Sequence, residues 1–254
     1  MSSIGLQLYS IKERAEADLL GTLAHVATAG YDGVEFAGYY DVAPAAIRAR
    51  LGECGLAAAG AHVSLAQLET ELERQIELAL GIGCPAIGCP GFWDVEYNLE
   101  TFMRVSDVFN RAGERCAAAG LAFYYHVHGH EFVDVRDDDG DGRSGMDVML
   151  AQMDPALVML QPDTYWVAKA GVDPAAFVRE HADRCLSLHL KDAGSVDDWR
   201  DTEVGAGVID MAGVIAAAPA VEWLIVEQEA FDMPPEESIA ISAANARKLI
   251  EQQK

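Results

Sequence analysis

The chain has 254 residues, of which 51% are hydrophobic and 23% charged, so it can bury a sizeable core. Its formal net charge of −23 repels phosphate backbones and anionic lipids, which argues against nucleic acids and membrane surfaces as partners. No segment has the roughly 20 apolar residues of a transmembrane helix, and the N-terminus lacks the pattern of a signal peptide. We therefore expect a cytoplasmic protein, and the five scattered cysteines fit reduced core residues.

Short apolar runs alternate along the chain with longer amphipathic segments. The apolar runs predict strands over residues 4–9, 33–36, 57–63, 86–89, 121–126, 158–161, 185–190 and 223–226. The amphipathic segments predict helices over residues 15–29, 44–54, 68–80, 98–119, 174–181 and 235–251. The first four helices are expected to end at the glycines that follow them, Gly30, Gly55, Gly81 and Gly120.

The eight predicted strands end at intervals of about 26–37 residues. Alternation of strands and helices at this period indicates parallel strands joined by crossover helices. Eight such units in about 250 residues match a (β/α)8 TIM barrel, so we predict an α/β fold in which residues 1–254 form a single barrel domain. The alternative is a doubly wound sheet, which usually carries a glycine-rich loop after its first strand. Residues 8–12 contain no glycine.

An Asp- and Gly-rich segment covers residues 134–145. Asp137, Asp139, Asp141 and Gly142 resemble the start of a calcium-binding loop, but Val148 stands where such a loop needs its final glutamate. We therefore expect a mobile surface loop over the barrel mouth rather than a calcium site.

Residues 124–132 contain three of the seven histidines and a glutamate, directly after an apolar run. In TIM barrels the active site lies at the carboxyl ends of the strands. Ionisable side chains occupy or follow the ends of six predicted strands in this sequence. They are Glu35, His62, His126, His128, His130, Glu131, Asp163, His189, Lys191, Asp192, Glu227 and Glu229.

These side chains would converge on one rim of the predicted barrel. Buried like charges are costly without a cation between them, so we predict a divalent metal site, with a structural polar network as the alternative. The candidate ligands offer oxygen and nitrogen and lack thiolate. Such a set suits Mn²⁺, Mg²⁺, Co²⁺, Fe²⁺ or Zn²⁺.

Six segments are similar to the motifs of one known family. They are residues 5–10 (GLQLYS), 30–36 (GYDGVEF), 125–132 (YHVHGHEF), 163–166 (DTYW), 188–192 (LHLKD) and 226–229 (VEQE). On these motifs the chain resembles the sugar phosphate isomerase/epimerase family, also called the xylose isomerase-like TIM barrels, over nearly its whole length.

The resemblance implies one divalent ion, Mn²⁺, Mg²⁺, Co²⁺ or Zn²⁺, held by side chains from strands five to eight. Asp163, His189 and Glu227 match three of the family's four ligands. The fourth is a glutamate whose position corresponds to His126 in this chain. Glu131 is the expected fifth-strand ligand, and His126 and His128 stay open as alternatives.

The resemblance also implies the reaction, which is isomerisation or epimerisation of a ketose or keto-glycoside through a metal-stabilised enediolate. The expected catalytic residues are Glu131, Glu227 and His126, with a glutamate removing the proton next to the carbonyl and imidazole as a second base. The expected substrate-binding residues are Glu35, His62, His128, Trp166 and Lys191. Elimination by a keto-sugar or keto-inositol dehydratase or lyase is the alternative on the same site. The resemblance also allows a homo-oligomer.

Three other functions are compatible with such a barrel. An abasic-site endonuclease shares this fold, but it uses three zinc ions and a basic DNA-binding face, which the charge of −23 opposes. The intact set of Asp163, His189 and Glu227 disfavours a non-catalytic binding protein. A two-metal xylose isomerase needs more ligands than Asp192 adds.

Overall fold

The computed structural model describes residues 2–135 and 142–253. The strands are β1 (Ser3–Gln7), β2 (Gly33–Phe36), β3 (Ala57–His62), β4 (Ala86–Cys89), β5 (Ala122–Val127), β6 (Met159–Pro162), β7 (Ser187–Leu190), β8 (Asp192–Ala193), β9 (Asp201–Thr202) and β10 (Trp223–Val226). The α-helices are α1 (Lys12–Ala17), α2 (Leu19–Thr28), α3 (Pro44–Cys54), α4 (Leu65–Thr70), α5 (Leu72–Ile82), α6 (Leu99–Ala118), α7 (Gly145–Gln152), α8 (Thr164–Lys169), α9 (Pro174–Glu180), α10 (Met211–Ala217) and α11 (Pro235–Glu251). Short 3₁₀ helices cover Leu8–Ile11 and His130–Phe132.

Eight of the described strands form one parallel sheet that curves into a nearly closed barrel. Hydrogen-bonded neighbours follow the order β6-β5-β4-β3-β2-β1-β10-β7. The two ends of this order meet, because the N–H of Leu160 donates to the carbonyl of Arg184 at 2.7 Å and the N–H of Leu186 donates to the carbonyl of Leu160 at 2.9 Å. The predicted (β/α)8 barrel is therefore confirmed. Strands β8 and β9 form a separate antiparallel hairpin after β7.

The predicted strands agree closely with the observed ones. The predicted bounds of β2, β4 and β10 are those of the structure, and the other barrel strands shift by at most two residues at either end. Helices α3 and α11 also have the predicted bounds. Gly55 ends α3 as predicted, with a left-handed φ of 68°.

The predicted helix over residues 15–29 is wrong in one respect, because it is two helices with a break at Asp18. The side chain of Asp18 accepts a hydrogen bond from the N–H of Gly21 at 2.9 Å and caps the start of α2. Aspartate satisfies exposed N–H groups at a helix start better than it fits a helix interior.

The prediction that Gly81 ends its helix is also wrong. The segment forms α4 and α5, and α5 continues through Gly81 to Gly83, which has a φ of 88°. Gly81 instead allows α5 to approach α3, because a Cβ added there would lie 2.8 Å from the Cβ of Pro44. A glycine thus serves close packing at one position and chain reversal two residues later.

Helices α7, α8 and α10 and the β8–β9 hairpin were not predicted from the sequence. Each of these helices has eight residues or fewer, which is too short for an amphipathic period to be recognised. The most relevant is α8, because it begins directly after β6 and its cap is a predicted site residue, Asp163.

Large side chains fill the barrel interior beside glycines on neighbouring strands. The ring and hydroxyl of Tyr124 lie against Gly88 and Gly60, where an added Cβ would come within 2.3 and 2.6 Å of that side chain. The hydroxyl of Tyr124 donates a hydrogen bond to Glu35 at 2.6 Å. The polar layer of the barrel therefore begins directly above this ring, toward the carboxyl ends of the strands.

Three further expectations concern the cysteines, membrane-spanning helices and the Asp- and Gly-rich segment. The five cysteines are unpaired thiols, and all except Cys54 are buried. Among the residues that the structure describes, no helix has the length and apolar character needed to cross a bilayer. Asp137, Asp139 and Asp141 lie outside the described residues, so the interpretation of that segment stays a prediction.

Candidate metal centre and substrate pocket

Four of the predicted site residues come together at the carboxyl rim of the barrel. His126 is the last but one residue of β5, Asp163 follows β6, His189 lies in β7 and Glu227 follows β10. One nitrogen or oxygen atom from each lies within 4.8 Å of the corresponding atoms of the other three. All four side chains are buried. We call this set the rim cluster.

Hydrogen bonds to the start of helix α8 fix the orientation of the Asp163 carboxylate. Its Oδ1 accepts hydrogen bonds from the N–H groups of Tyr165 at 2.8 Å and Trp166 at 3.0 Å, which caps helix α8. Its Oδ2 is buried and accepts no hydrogen bond from the described residues. The helix cap therefore fixes the carboxylate with one oxygen directed at the rim cluster.

His189 lies between carboxylates on both sides of its ring. Its Nε2 is 2.6 Å from Oε2 of Glu35, and its Nδ1 is 2.6 Å from Oε2 of Glu227 and 3.9 Å from Oδ2 of Asp163. Within the described chain, Nδ1 of His189 has no partner with hydrogen-bond geometry despite this proximity. At 2.6 Å a protonated ring pairs with Glu227, whereas a neutral ring turns an unprotonated nitrogen toward the two carboxylates, as in a site for a shared cation.

His126 contributes a second imidazole from the opposite side. Its Nδ1 lies 2.9 Å from Oε1 of Gln161, and its Nε2 lies 4.0 Å from Oδ2 of Asp163. Burial lowers the pKa of His126 well below its usual value, and His189, His128 and His62 lower it further. The ring is therefore neutral, which is the form that binds metal ions.

The carboxylates of the rim cluster have opposite pKa shifts. Burial raises the pKa of Asp163 to about 7, although Lys191 opposes this. Burial alone would also raise the pKa of Glu227, but its contacts with His189 and Lys191 lower it to about 2.

The pKa of His189, which lies near both carboxylates, is also shifted. Burial alone would lower the pKa of His189, but Glu35 and Glu227 raise it to about 10. In the metal-free protein this imidazole is thus the cation that balances the carboxylates.

The rim cluster fits a divalent ion on the chemistry of its atoms. Two imidazole nitrogens and two carboxylate oxygens suit borderline cations such as Zn²⁺, Mn²⁺ or Co²⁺. Oδ2 of Asp163 is a buried atom that the described protein leaves without a hydrogen bond, and such an atom carries a desolvation cost unless something binds it.

His62 lies beside the rim cluster but its two ring nitrogens are already engaged. Its Nδ1 is 3.2 Å from Nε2 of Gln7, and its Nε2 is 3.0 Å from Oε1 of Gln161. His62 could form a three-histidine group with His126 and His189 by distance alone. We favour the four-residue set because its ligand atoms are not committed to such hydrogen bonds.

Glu131 lies apart from the rim cluster. It belongs to the 3₁₀ helix after β5, and its Oε1 accepts hydrogen bonds from the hydroxyl of Tyr125 and from the N–H of His128. Among the described residues it is therefore His126, rather than Glu131, that the fold brings into the group with Asp163, His189 and Glu227.

The rim cluster opens into a cavity of about 740 Å³. Its walls include three of the predicted substrate-binding residues, His62, His128 and Trp166. Further wall residues that the sequence analysis missed are Gln7, Tyr9, Pro90, Trp93 and Lys169. Trp93 is 52% exposed at the edge of this cavity. Its position in the loop after β4 was the available signal, because the loops after the strands form the mouth of a TIM barrel.

Two of the predicted substrate-binding residues, Glu35 and Lys191, do not line this cavity. The ammonium of Lys191 is buried against the carboxylates of Glu229 and Asp201, with Trp166 5.2 Å from its nitrogen. Burial alone would lower the pKa of Lys191, but these acids together with Glu227 and Asp163 raise it. Lys191 therefore neutralises the acidic rim.

Asp192 holds the loop that follows the β8–β9 hairpin. Its carboxylate accepts hydrogen bonds from the N–H groups of Gly205 at 2.9 Å, Gly207 at 3.1 Å and Ile209 at 3.2 Å. A carboxylate with these contacts supports loop structure, so it does not supply the second metal site that a two-metal isomerase requires.

The fold and the rim cluster together define a class, a TIM barrel whose polar residues gather at the carboxyl ends of its strands. The chain belongs to the family of xylose isomerase-like TIM barrels, which residues 23–249 match. No curated protein matches the sequence.

Several solved structures share the fold. A sugar phosphate isomerase/epimerase from Parabacteroides distasonis is 24% identical, with a TM-score of 0.81 over 96% of this chain and 93% of the other. A probable 3-DHS dehydratase, AsbF, from Bacillus anthracis is 11% identical, with a TM-score of 0.75 over 97% and 99%. The IOLI protein, solved with a bound zinc atom, is 14% identical, with a TM-score of 0.77 over 99% of each chain. At these identities the similarity establishes the fold.

Proposed function

We propose that this protein is a divalent-metal-dependent isomerase or epimerase that acts on a ketose or keto-glycoside by proton abstraction next to the carbonyl. The observation that carries the proposal is the position of Glu227, which belongs to the rim cluster and also lines the cavity. A carboxylate in both places can act on a substrate held beside a metal ion. The names of structural neighbours, an isomerase/epimerase and a dehydratase, support this class of chemistry.

In this proposal His126, Asp163, His189 and Glu227 hold the ion, and Glu131 is not a ligand. A bound divalent ion would supply Lewis acidity to the substrate carbonyl, which makes the neighbouring C–H more acidic. Two imidazoles among four ligands favour Mn²⁺, Co²⁺ or Zn²⁺ over Mg²⁺. The zinc in the IOLI protein is consistent with this choice.

Glu227 is the proposed general base. Its lowered pKa of about 2 keeps it ionised at neutral pH, so a carboxylate oxygen is free to accept the abstracted proton and pass it on. Epimerisation also requires a group on the opposite face of the substrate, which takes up the proton in one direction and relays a proton from solvent in the other. We assign this role to His128, which lines the cavity and whose Nδ1 is buried without a hydrogen-bond partner in the described chain.

The environment of His128 suits a neutral proton acceptor. Burial lowers the pKa of His128 to about 3, so its ring is uncharged at neutral pH. Its backbone N–H donates to Glu131 at 2.9 Å. Glu131, predicted as a catalytic residue, therefore has a proposed role in holding the segment that carries His128.

Elimination is the second candidate reaction. Epimerisation needs a second group that exchanges protons on the opposite face, and the resemblance implies that His126 stands where the family has its fifth-strand glutamate. A keto-sugar or keto-inositol dehydratase or lyase needs a single base to remove the proton, while the hydroxyl or alkoxyl at the β-carbon leaves. The same site and the same Glu227 would serve that reaction.

The cavity walls point to the kind of substrate. Trp93 and Trp166 both lie beside His128, with ring centroids 5.6 and 5.3 Å from the imidazole. Aromatic rings can stack on the apolar face of a sugar, and the volume is that of a pocket for a ligand larger than one small ring. We propose that Trp93 contacts the part of the substrate farthest from the rim cluster.

The Trp93→Ala variant tests this contact. We expect its KM for the best substrate to rise about three- to tenfold, because one stacking contact of roughly 0.5–1.5 kcal/mol is lost, while kcat changes little. Trp93→Phe keeps a ring and should lie near the wild type. Equal KM values for all three proteins would show that Trp93 does not contact the substrate.

The reaction itself is tested by exchange with solvent. The Mn²⁺-loaded protein is incubated in D₂O with ketoses, keto-glycosides and keto-inositols, and the recovered compounds are analysed by NMR and mass spectrometry. We expect deuterium at one carbon next to the carbonyl. A changed configuration at that carbon indicates epimerisation, and loss of a β-substituent indicates elimination. Absence of exchange with every compound would refute proton abstraction.

A further inference from the structure

We propose that Glu35 and Gln161 are positioning residues that fix the ring tautomers of His189 and His126, so that each ring presents an unprotonated nitrogen to the rim cluster. The inference rests on the metal site of the proposed function. It concerns ring protonation and metal affinity, so it can be tested without any substrate.

Glu35 determines the state of His189. A carboxylate can only accept hydrogen bonds, and Oε2 of Glu35 lies 2.6 Å from Nε2 of His189. Nε2 must therefore carry the proton in the neutral ring. The other nitrogen, Nδ1, is then the unprotonated one, and it faces Glu227 and the rim cluster.

Gln161 determines the state of His126 through its own fixed orientation. The amide nitrogen of Gln161 donates to Oε1 of Glu35 and to the hydroxyl of Ser187, both at 2.7 Å. Its carbonyl oxygen must then face Nδ1 of His126, which donates to it at 2.9 Å. Nε2 of His126 is left unprotonated, and it is the nitrogen on the side of Asp163.

Glu35 is itself held from several sides. It accepts hydrogen bonds from Nε2 of Gln7 at 2.7 Å, from the hydroxyl of Tyr124 at 2.6 Å and from Gln161. The oxygen of Gln7 accepts from the N–H of Tyr9 at 3.1 Å, which directs its nitrogen toward Glu35. The carboxylate is 1% exposed. One buried carboxylate thus orients both imidazoles, directly for His189 and through Gln161 for His126.

Partners of this kind are expected to affect metal binding, because a histidine ligand needs its other ring nitrogen held by an acceptor. We therefore assign Glu35 to orienting the imidazoles of the rim cluster instead of to substrate binding. Glu35 does not line the cavity and is enclosed by protein groups.

The Glu35→Gln variant tests the inference with almost no change in shape. Both oxygens of Glu35 face donors, so an amide must turn its NH₂ group toward one set of them. With the amide oxygen toward Tyr124 and Gln161, the NH₂ group faces His189 and makes its Nε2 an acceptor. The proton then moves to Nδ1, the nitrogen that the ion needs.

Zinc affinity is measured by competition with a chromophoric chelator, and the imidazole N–H groups of the zinc-loaded proteins are assigned by ¹⁵N NMR. We expect Glu35→Gln to bind Zn²⁺ about 10–100-fold more weakly than the wild type. In the zinc-loaded wild type we expect N–H signals from Nε2 of His189 and Nδ1 of His126. In the zinc-loaded variant, zinc on Nδ1 of His189 still requires the proton on Nε2, so that signal should remain but move upfield, because the N–H no longer donates to a carboxylate.

Two further variants keep the test interpretable. Glu35→Asp retains a carboxylate and should recover affinity relative to Glu35→Gln. Asp192→Asn makes the same chemical change at a buried carboxylate outside this network and should stay within about twofold of the wild type in affinity.

The outcomes separate the two proposals. Equal zinc affinity for the wild type and Glu35→Gln, or equal losses in Glu35→Gln and Asp192→Asn, would overturn the positioning role while the metal site stands. A wild-type protein that binds no zinc would overturn the metal site, and this inference with it.

Discussion

The Glu227→Gln variant is expected to lose about 10²–10⁴-fold in the rate of deuterium exchange into the substrate. The amide keeps the shape of the side chain but cannot accept a proton at neutral pH. It also replaces a charged ligand atom in the rim cluster, so weaker metal binding can add to the loss. The measurement is the exchange rate at saturating Mn²⁺, with the metal content of each preparation determined.

The matched control is Glu222→Gln, which removes the same charge from an exposed side chain just before strand β10. It should exchange at the wild-type rate. If Glu227→Gln binds metal and retains the wild-type rate, Glu227 is not the base, and His128 would become the first candidate.

The sequence predicted the residues of the rim that are fixed by strand geometry. Asp163, His189 and Glu227 occupy or directly follow strand ends, and parallel strands in a barrel bring such positions to one rim. His126 was also correctly located at the end of β5. These predictions depend on chain position and on the alternation of side chains along strands, both of which a sequence contains.

Glu35 and Glu131 lie outside the cavity or the rim cluster because of depth and side-chain direction, which the sequence does not contain. Glu35 lies one position before the end of β2, and its carboxylate contacts His189 and Tyr124 beneath the rim cluster rather than lining the cavity. Glu131 lies in a 3₁₀ helix, where side-chain direction depends on local hydrogen bonds such as those to Tyr125 and His128. Spacing alone could not show either outcome.

The identity of the fifth-strand residue changes the charge of the rim cluster. A glutamate would add a third negative charge to Asp163 and Glu227, whereas His126 is neutral and is held by the amide of Gln161. With His126 rather than a glutamate, the four ligands carry one negative charge fewer. In the proposed function, proton transfer on the opposite face is then assigned to His128.

Metal binding should be strongly pH-dependent, because His189 must lose a proton to become a ligand. Without metal, Glu35 and Glu227 raise the pKa of His189 to about 10 against the opposing effect of burial. The raised pKa means that protons compete with the ion at every pH below about 10. The apparent Mn²⁺ affinity is therefore expected to rise about tenfold per pH unit between pH 7 and 9.

Asp163 adds a second proton at lower pH. Burial raises its pKa to about 7, so below that value two protons must leave and the slope should approach two. Affinity is measured by competition titration across pH 6–9, and calorimetry in buffers of different ionisation enthalpy counts the protons released. The His189→Gln variant removes the imidazole with the raised pKa and keeps a neutral polar side chain. Its Mn²⁺ affinity should be lower than that of the wild type and nearly independent of pH from 7 to 9. A wild-type affinity that is flat over that range would mean that His189 is not a ligand, because a proton bound between Glu35 and Glu227 could not otherwise be displaced without cost.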